Sequence, residues 1–215
     1  MTKAACRRPP TLGASLALVA PAAVGYTTLV TQPARRPATY QDVLDAPPNQ
    51  VAELIGGTLY THPRPASPHA RATSTLGIEL GGPVDRGRGG PGGWVILDEP
   101  ELHFGDDVVV PDLGGWRRER MPQMPEVAFF ELAPDWACEV LSPSRADYDR
   151  DVKLPVYARA GVPHVWLVEP ALQRLEVLRL GRGGYRVVET CHGDEAVRAE
   201  PFDAIELPLG ALWAR

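Results

Sequence analysis

Lysine is almost missing from this chain. Of its 22 lysines and arginines, only Lys3 and Lys153 are lysines, so the body of the protein keeps a single one. Codon bias accounts for the general shortage but not for the position of the survivor. A compact ammonium with a movable pKa can do what a guanidinium cannot, which makes Lys153 a candidate functional residue. Cysteine is scarce as well. Cys6, Cys138 and Cys191 show neither metal-ligand spacing nor a disulfide framework. Cys138 lies in an apolar run and reads as a buried thiol, in keeping with a reducing, cytoplasmic setting. There is no excess of positive charge. A net charge of −5 argues against a broad electrostatic grip on nucleic acid. It is compatible with a carboxylate-rich site at which bound cations supply the positive charge. A Gly-x-Ser-x-Gly elbow is absent, and no Ser-His-Asp arrangement suggests ester hydrolysis.

What is present divides unevenly. Residues 1–38 begin with Arg7 and Arg8 and continue into a small-residue apolar stretch, Leu12 to Val30, broken by Gly13, Pro21 and Gly25. The breaks argue against a membrane span. Ala20 to Ala23 could pass for a signal-peptide cleavage site. The reading preferred here is a disordered extension, which a start codon placed too far upstream would produce. No other segment is long and apolar enough to cross a membrane, so the body, residues 39–213, is expected to form one domain with no membrane partner.

Within that body, Thr39 caps an expected short helix over Tyr40 to Asp45, ended by Pro47-Pro48. Val51 to Thr61 reads as a hairpin turning at Gly56-Gly57. Ser67 to Leu80 reads as a helix. Residues 81–93, with seven glycines and two prolines, read as a loop. Strands are expected at Trp94–Leu97, Val108–Val110, Trp136–Leu141 and Val165–Val168, with a surface segment carrying Arg117, Arg118 and Arg120 between the second and third. A helix over Tyr148 to Ala160 stops at Gly161, with Pro155 in its first turn or kinking it. Leu175–Leu180, Tyr185–Thr190 and a short strand near Ile205 form a closing β meander. This order predicts an α/β fold, a mixed central sheet flanked by helices.

Two carboxylates stand out. Val108-Val109-Val110-Pro111 runs straight into Asp112, and Glu139 sits inside the apolar run Trp136 to Leu141. A charge in such a run is costly to bury unless it is paired or bound to metal. For a lone glutamate the solvent face of an amphipathic strand is the simpler reading. Two strand-borne acids can instead converge on one hard cation if their strands are neighbours. Lys153 follows 14 residues after Glu139, on a helix that returns over the sheet, and could reach the same strand ends. Its alternative is a helix-surface ion pair with Asp149 at i,i+4, worth a few tenths of a kcal/mol.

The Pro111-Asp112 pair, the Glu139-Val140 strand and the downstream lysine resemble the PD-(D/E)XK nuclease superfamily. Glu-Val-Leu-Ser-Pro-Ser (139–144), Asp149 to Lys153, Tyr157 to Val162 and Trp166 to Pro170 resemble one bacterial branch more closely, the Uma-type family of restriction-endonuclease-like proteins. The resemblance runs from about Tyr40 to about Trp213. It includes the Glu53-Leu54-Ile55-Gly56-Gly57 hairpin and the Gly90 to Trp94 loop. It implies a restriction-endonuclease-like fold and a DNA-cutting site holding Mg²⁺ or Mn²⁺. Asp112 and Glu139 would be the metal ligands, helped by the backbone carbonyl of Val140. In the superfamily's simplest pattern the lysine lies two residues after the second acid, where this chain has Leu141; the branch moves it to the next helix, at Lys153. Glu53 matches an acidic position of the opening hairpin and is carried as a fourth catalytic candidate, against a strand-edge surface role.

Glu79, Asp98 and His69 are weaker candidates, with a solvated helix face, a turn and a capping role as their simpler readings. Arg117, Arg118 and Arg120 could hold a DNA backbone or lie in a solvated loop. The rival to an endonuclease is a catalytically inactive nuclease-fold module for nucleic-acid binding or assembly. A nuclease for RNA or branched DNA is a third reading. A homodimer is expected by analogy alone.

Overall fold

The computed structural model describes residues 36–64 and 66–214. The reading of the N-terminal extension therefore falls, up to residue 35, outside the described residues. The chain enters through α1 (Tyr40–Leu44), with the Asp42 carboxylate accepting the Thr39 N–H at 2.8 Å. A hairpin follows, β1 (Gln50–Ile55) and β2 (Thr58–Pro63), turning at Gly56-Gly57. Then come α2 (Ser67–Leu80), β3 (Trp94–Asp98), β4 (Leu102–Phe104), β5 (Asp107–Val109), β6 (Leu113–Arg117) and β7 (Trp136–Val140). A helical segment runs through α3 (Ala146–Tyr148), a π-helical turn at Asp149–Lys153, and α4 (Leu154–Ala160). It leads to β8 (His164–Glu169), β9 (Arg174–Gly181) and β10 (Gly184–His192). A small ribbon closes the chain, β11 (Ala196–Val197) with β12 (Leu207–Pro208). The short strand expected near Ile205 thus forms slightly later.

The mixed sheet has six strands in the order β10-β9-β8-β7-β6-β3, and the hairpin belongs to a separate four-stranded sheet, β2-β1-β5-β4. In the larger sheet β7 and β8 are parallel and the other pairs antiparallel. The helical segment between β7 and β8 is the crossover that parallel pairing requires. Its apolar side chains alternate between faces, as strand geometry dictates. Trp136, Cys138 and Val140 point to the side covered by α2 and the C-terminal segment, where Trp136, Trp166 and Phe202 meet edge to face. Ala137 and Leu141 point to the other side, against Val156 and Tyr157 of α4 and Ile55 and Val109 of the smaller sheet. Glu139 shares that second side.

Two expectations needed correction. The surface segment expected after Val110 is exposed at residues 117–120, but before it the chain forms β6, a strand inside the larger sheet, buried at Leu113 through Trp116. Both glycines of its Gly114-Gly115 pair are needed for close packing: a Cβ on Gly115 would stand 3.0 Å from Ile96 and 3.1 Å from Trp136. Residues 81–93 are not loop throughout, because Gly81–Asp85 carries α2 on by one π-helical turn. The Pro155 expectation resolves similarly. A proline inside a helix clashes with the carbonyl four residues back, and the turn before α4 widens to π geometry, with the Leu154 N–H donating to the Asp149 carbonyl.

Candidate active site

The chain changes sheets at Val110-Pro111-Asp112, between β5 of the smaller sheet and β6 of the larger. That crossing leaves a notch roofed by the helical segment. A cleft of about 220 Å³ opens there, lined by Asp112, Glu139, Val140, Asp149 and Lys153, with His62, His69, Arg64 and Arg145 around it. The two strand acids, the helix lysine and the hairpin acid, separated in sequence, come together in this place.

Lys153 is the centre. It is 2% exposed, and its Nζ lies 2.8 and 2.9 Å from the two Glu139 oxygens, 3.1 Å from Glu53 Oε1 and 2.9 Å from the Val110 carbonyl. Of the three N–H donors of the ammonium, the Val110 carbonyl and Glu139 Oε2 take hydrogen bonds, and Glu53 completes the ring of acceptors as an ion pair. Lys153 is therefore not in a helix-surface pair with Asp149. Glu139, 2% exposed, does not lie on a solvent face; besides Lys153 it accepts the Tyr157 hydroxyl. Glu53 is fully buried rather than on a strand edge. Its Oε1 accepts the Val110 N–H at 2.8 Å and its Oε2 the Tyr148 hydroxyl at 2.8 Å. His62 Nε2 stands 3.5 Å from the same Oε2. Asp112 accepts the Val140 N–H at 2.7 Å through Oδ2, while its Oδ1 faces His69 Nε2 at 3.2 Å.

Burial and charge set the proton affinities. Burial pushes the Glu139 carboxyl well above its usual range against the opposing pull of Lys153. For Lys153 burial pulls downward, but Glu139, Glu53, Asp149 and Asp112 together outweigh it and the amine is held charged, its pKa raised. Burial raises Asp149 to about 6, with Lys153 and Arg145 restraining the rise. Burial and the charge of Arg145 lower His62 to about 4.

Among the described residues no three His, Cys, Asp or Glu side chains converge as a ready cage for a metal. The donors at the cleft are carboxylates of Asp112 and Glu139 with the end of β7 beside them. The N–H and C=O of a strand residue leave on the same edge, so the Val140 carbonyl looks the same way as the N–H that Asp112 holds. Those oxygens fit a hard cation that keeps several waters, such as Mg²⁺ or Mn²⁺, with His69 Nε2 3.2 Å from Asp112 beside them.

The other sequence candidates separate clearly. His69 joins the cleft instead of only capping α2. Glu79 and Asp98 do not line it. Arg117 lies 4.5 Å over the Trp94 ring, Arg118 pairs with Asp85 and Arg120 with Asp135, so none of the three borders the cleft. Sequence reasoning did not place Tyr148, Tyr157, His62, Arg145 or Asp149 at this site. Two of these carried a usable signal. Tyr157 lies at i+4 from Lys153, on the same helix face. A two-residue turn at Gly56-Gly57 sets Glu53 opposite Tyr60 and Val51 opposite His62, which puts His62 on the face of Glu53.

Comparison with known proteins agrees with this architecture. A family model, Uma2, described as "Putative restriction endonuclease", matches residues 37–210. A solved structure from Anabaena variabilis ATCC 29413, described as a "putative nuclease" of a family of unknown function, is similar with a TM-score of 0.67 and 24% identity. The match covers 82% of this chain and 98% of that one. No curated protein matches. Among the described residues no helix is long and apolar enough to cross a membrane.

Proposed function

Because the chain belongs to the Uma2 family of restriction-endonuclease-like proteins, we propose that it hydrolyses phosphodiester bonds in DNA with a divalent cation bound at the cleft. The observation that carries this reading is the meeting of Asp112, Glu139 and Lys153 at one cleft: Lys153 Nζ is 2.8 Å from Glu139, and Asp112 holds the N–H of the residue next to Glu139. Asp112, Glu139 and the Val140 carbonyl would hold the cation. When bound, Mg²⁺ or Mn²⁺ supplies positive charge for the phosphate and lowers the pKa of a water.

The chain's own groups do the rest. Lys153 neutralises Glu139 and Glu53 and fixes their orientation, while Asp112 keeps Oδ1 on the His69 side of the cleft. Tyr157 and Tyr148 hold the two glutamates in place from the helix side. His69 and Arg145, at the mouth, supply N–H donors for a phosphodiester anion. The net negative charge of the chain keeps nucleic-acid affinity low in the absence of the cation.

The test is cleavage of supercoiled plasmid with Mg²⁺ or Mn²⁺ by the wild type and by Asp112→Ala, Glu139→Ala and Lys153→Ala. Cutting by the wild type alone supports the reading. Equal cutting by all four identifies a contaminant and ends it. Mn²⁺ binding with no cleavage of duplex, single-stranded or branched DNA, or of RNA, favours the inactive nucleic-acid-binding module.

A further inference from the structure

Hydrolysis needs a group to receive the proton of the attacking water, and Lys153 is badly placed for that. Its Nζ hydrogen-bonds Glu139 Oε2 and the Val110 carbonyl and stands 3.1 Å from Glu53 Oε1. An amine ringed by these acceptors turns its N–H groups on the protein and not on a water. Glu139 and Glu53 are equally committed, each bound by Lys153 and by a tyrosine hydroxyl. Asp112 is bound on one oxygen by the Val140 N–H and faces His69 with the other. Glu99, at the rim, is tied to Arg64.

One carboxylate of the cleft remains. Asp149 is 4% exposed and lines the cleft, yet among the described residues no donor hydrogen-bonds its side chain. The nearest cation, Arg145, stands 3.9 Å away. A buried carboxylate without a donor is costly, and where it borders a cavity water is its natural partner. Its placement has a local cause. The π-helical turn before Pro155 spans Asp149 to Lys153, so the same widened turn turns both residues inward. Such turns recur at functional sites because they re-aim side chains at the expense of helix regularity.

We propose that Asp149 is the general base, taking the proton from the water that attacks phosphorus. This rests on the phosphodiesterase reading given above. The water oxygen forms a bond to phosphorus while its proton passes to the Asp149 carboxylate. One phosphorus–ester oxygen bond breaks, and the departing oxygen takes its proton from solvent. The product pair is one phosphomonoester and one alcohol, and Asp149 returns its proton to solvent. The groups facing Asp149 are Lys153 and Arg145 on its own helical segment, Asp112 from the crossing between the sheets, Glu53 from β1 and Glu139 from β7. Burial, restrained by Lys153 and Arg145, brings its proton affinity toward neutral, the range in which a base serves best.

The experiment compares wild type, Asp149→Asn and Asp149→Ala for kcat against pH on a labelled oligonucleotide. Mn²⁺ affinity is followed by calorimetry and folding by thermal melting. The expected result is a loss of about 10²- to 10⁴-fold in kcat for Asp149→Asn. The acid limb of the wild-type profile should vanish, Mn²⁺ affinity should stay unchanged, and added formate should partly rescue Asp149→Ala. A fully active Asp149→Asn overturns the proposal while leaving the nuclease reading intact. Loss of Mn²⁺ affinity in step with activity also overturns it, by making Asp149 a metal ligand. So does an activity loss with no formate rescue and an unchanged acid limb, which marks a structural part. A wild type that cuts nothing removes the parent reading and this one with it.

Discussion

Asp112 Oδ2 accepts the Val140 N–H at 2.7 Å, so the crossing between the two sheets is pinned to the end of β7, one residue beyond Glu139. This bond makes Asp112 a structural and a chemical residue at once, and the two parts can be separated. In Asp112→Asn the amide oxygen still accepts the Val140 N–H, but the negative charge is gone. The expected outcome is a melting temperature within a few degrees of wild type and at least a tenfold loss of Mn²⁺ affinity by calorimetry. Asp112→Ala removes both and should further destabilise the fold by about 1–3 kcal/mol, the cost of an unsatisfied buried donor. Equal stability of the two variants would show that the bond contributes nothing.

Lys153 is sealed between two acids, and removing one partner of a buried charge cluster is more damaging than replacing the cluster whole. Lys153→Met should cost about 3–5 kcal/mol in urea unfolding. Adding Glu139→Gln to it should return part of that loss, because an uncompensated charge disappears. Strict additivity of the two changes would contradict coupling between them. Lys153→Arg should not rescue, since the larger planar fork cannot fit three acceptors arranged around a point charge.

The Tyr157 hydroxyl donates to a glutamate that Lys153 already holds. Tyr157→Phe leaves the ring packed in the core beside Val156 and Ala137 and removes only the donor. The expected cost is about 1–3 kcal/mol of stability, with cleavage reduced through a looser Glu139. Wild-type values for both would show that Lys153 alone orients the acid.

The legible part of this protein is the part written in local pattern. Trp136 to Leu141 announced a buried strand, Gly56-Gly57 a hairpin turn, Gly161 a helix end, and the scarcity of lysine pointed at Lys153. What did not show was long-range. The strand at Gly114-Gly115 did not show, because a pair of glycines in a strand makes sense only once the rings of Trp116 and Trp136 lie against it. The division into two sheets was hidden because nothing in Val108 to Asp112 marks the change of partner. Glu53 was a site candidate whose burial did not show, because Val110 on one side and Tyr148 and Lys153 of the helical segment on the other surround it only in the fold. Asp149 looked like half of a helical ion pair because i,i+4 spacing assumes α geometry, which the π-helical turn before Pro155 breaks.

His62 ties stability to acidity. Burial and Arg145 depress its pKa from 6.5 to about 4, so between those values the unfolded chain binds a proton that the native chain refuses. Stability from this ring is present above pH 6.5 and is lost as pH falls through about 4. Allowing for the solvent that reaches the ring, the loss is about 2 kcal/mol. Asp149 works in the opposite sense. Its pKa, raised from 3.8 to about 6, means stability present below 3.8 and lost as pH rises through about 6. The two slopes oppose each other between pH 4 and 6, so in the wild type each group masks part of the other's effect. Replacing one group exposes the other. His62→Gln should become steadily less stable as pH rises from 4 to 6, and Asp149→Asn should become steadily more stable over the same interval, read as urea midpoints at half-unit steps. Two variants with the same slope as wild type would mean that neither group titrates differently in the folded and unfolded chain.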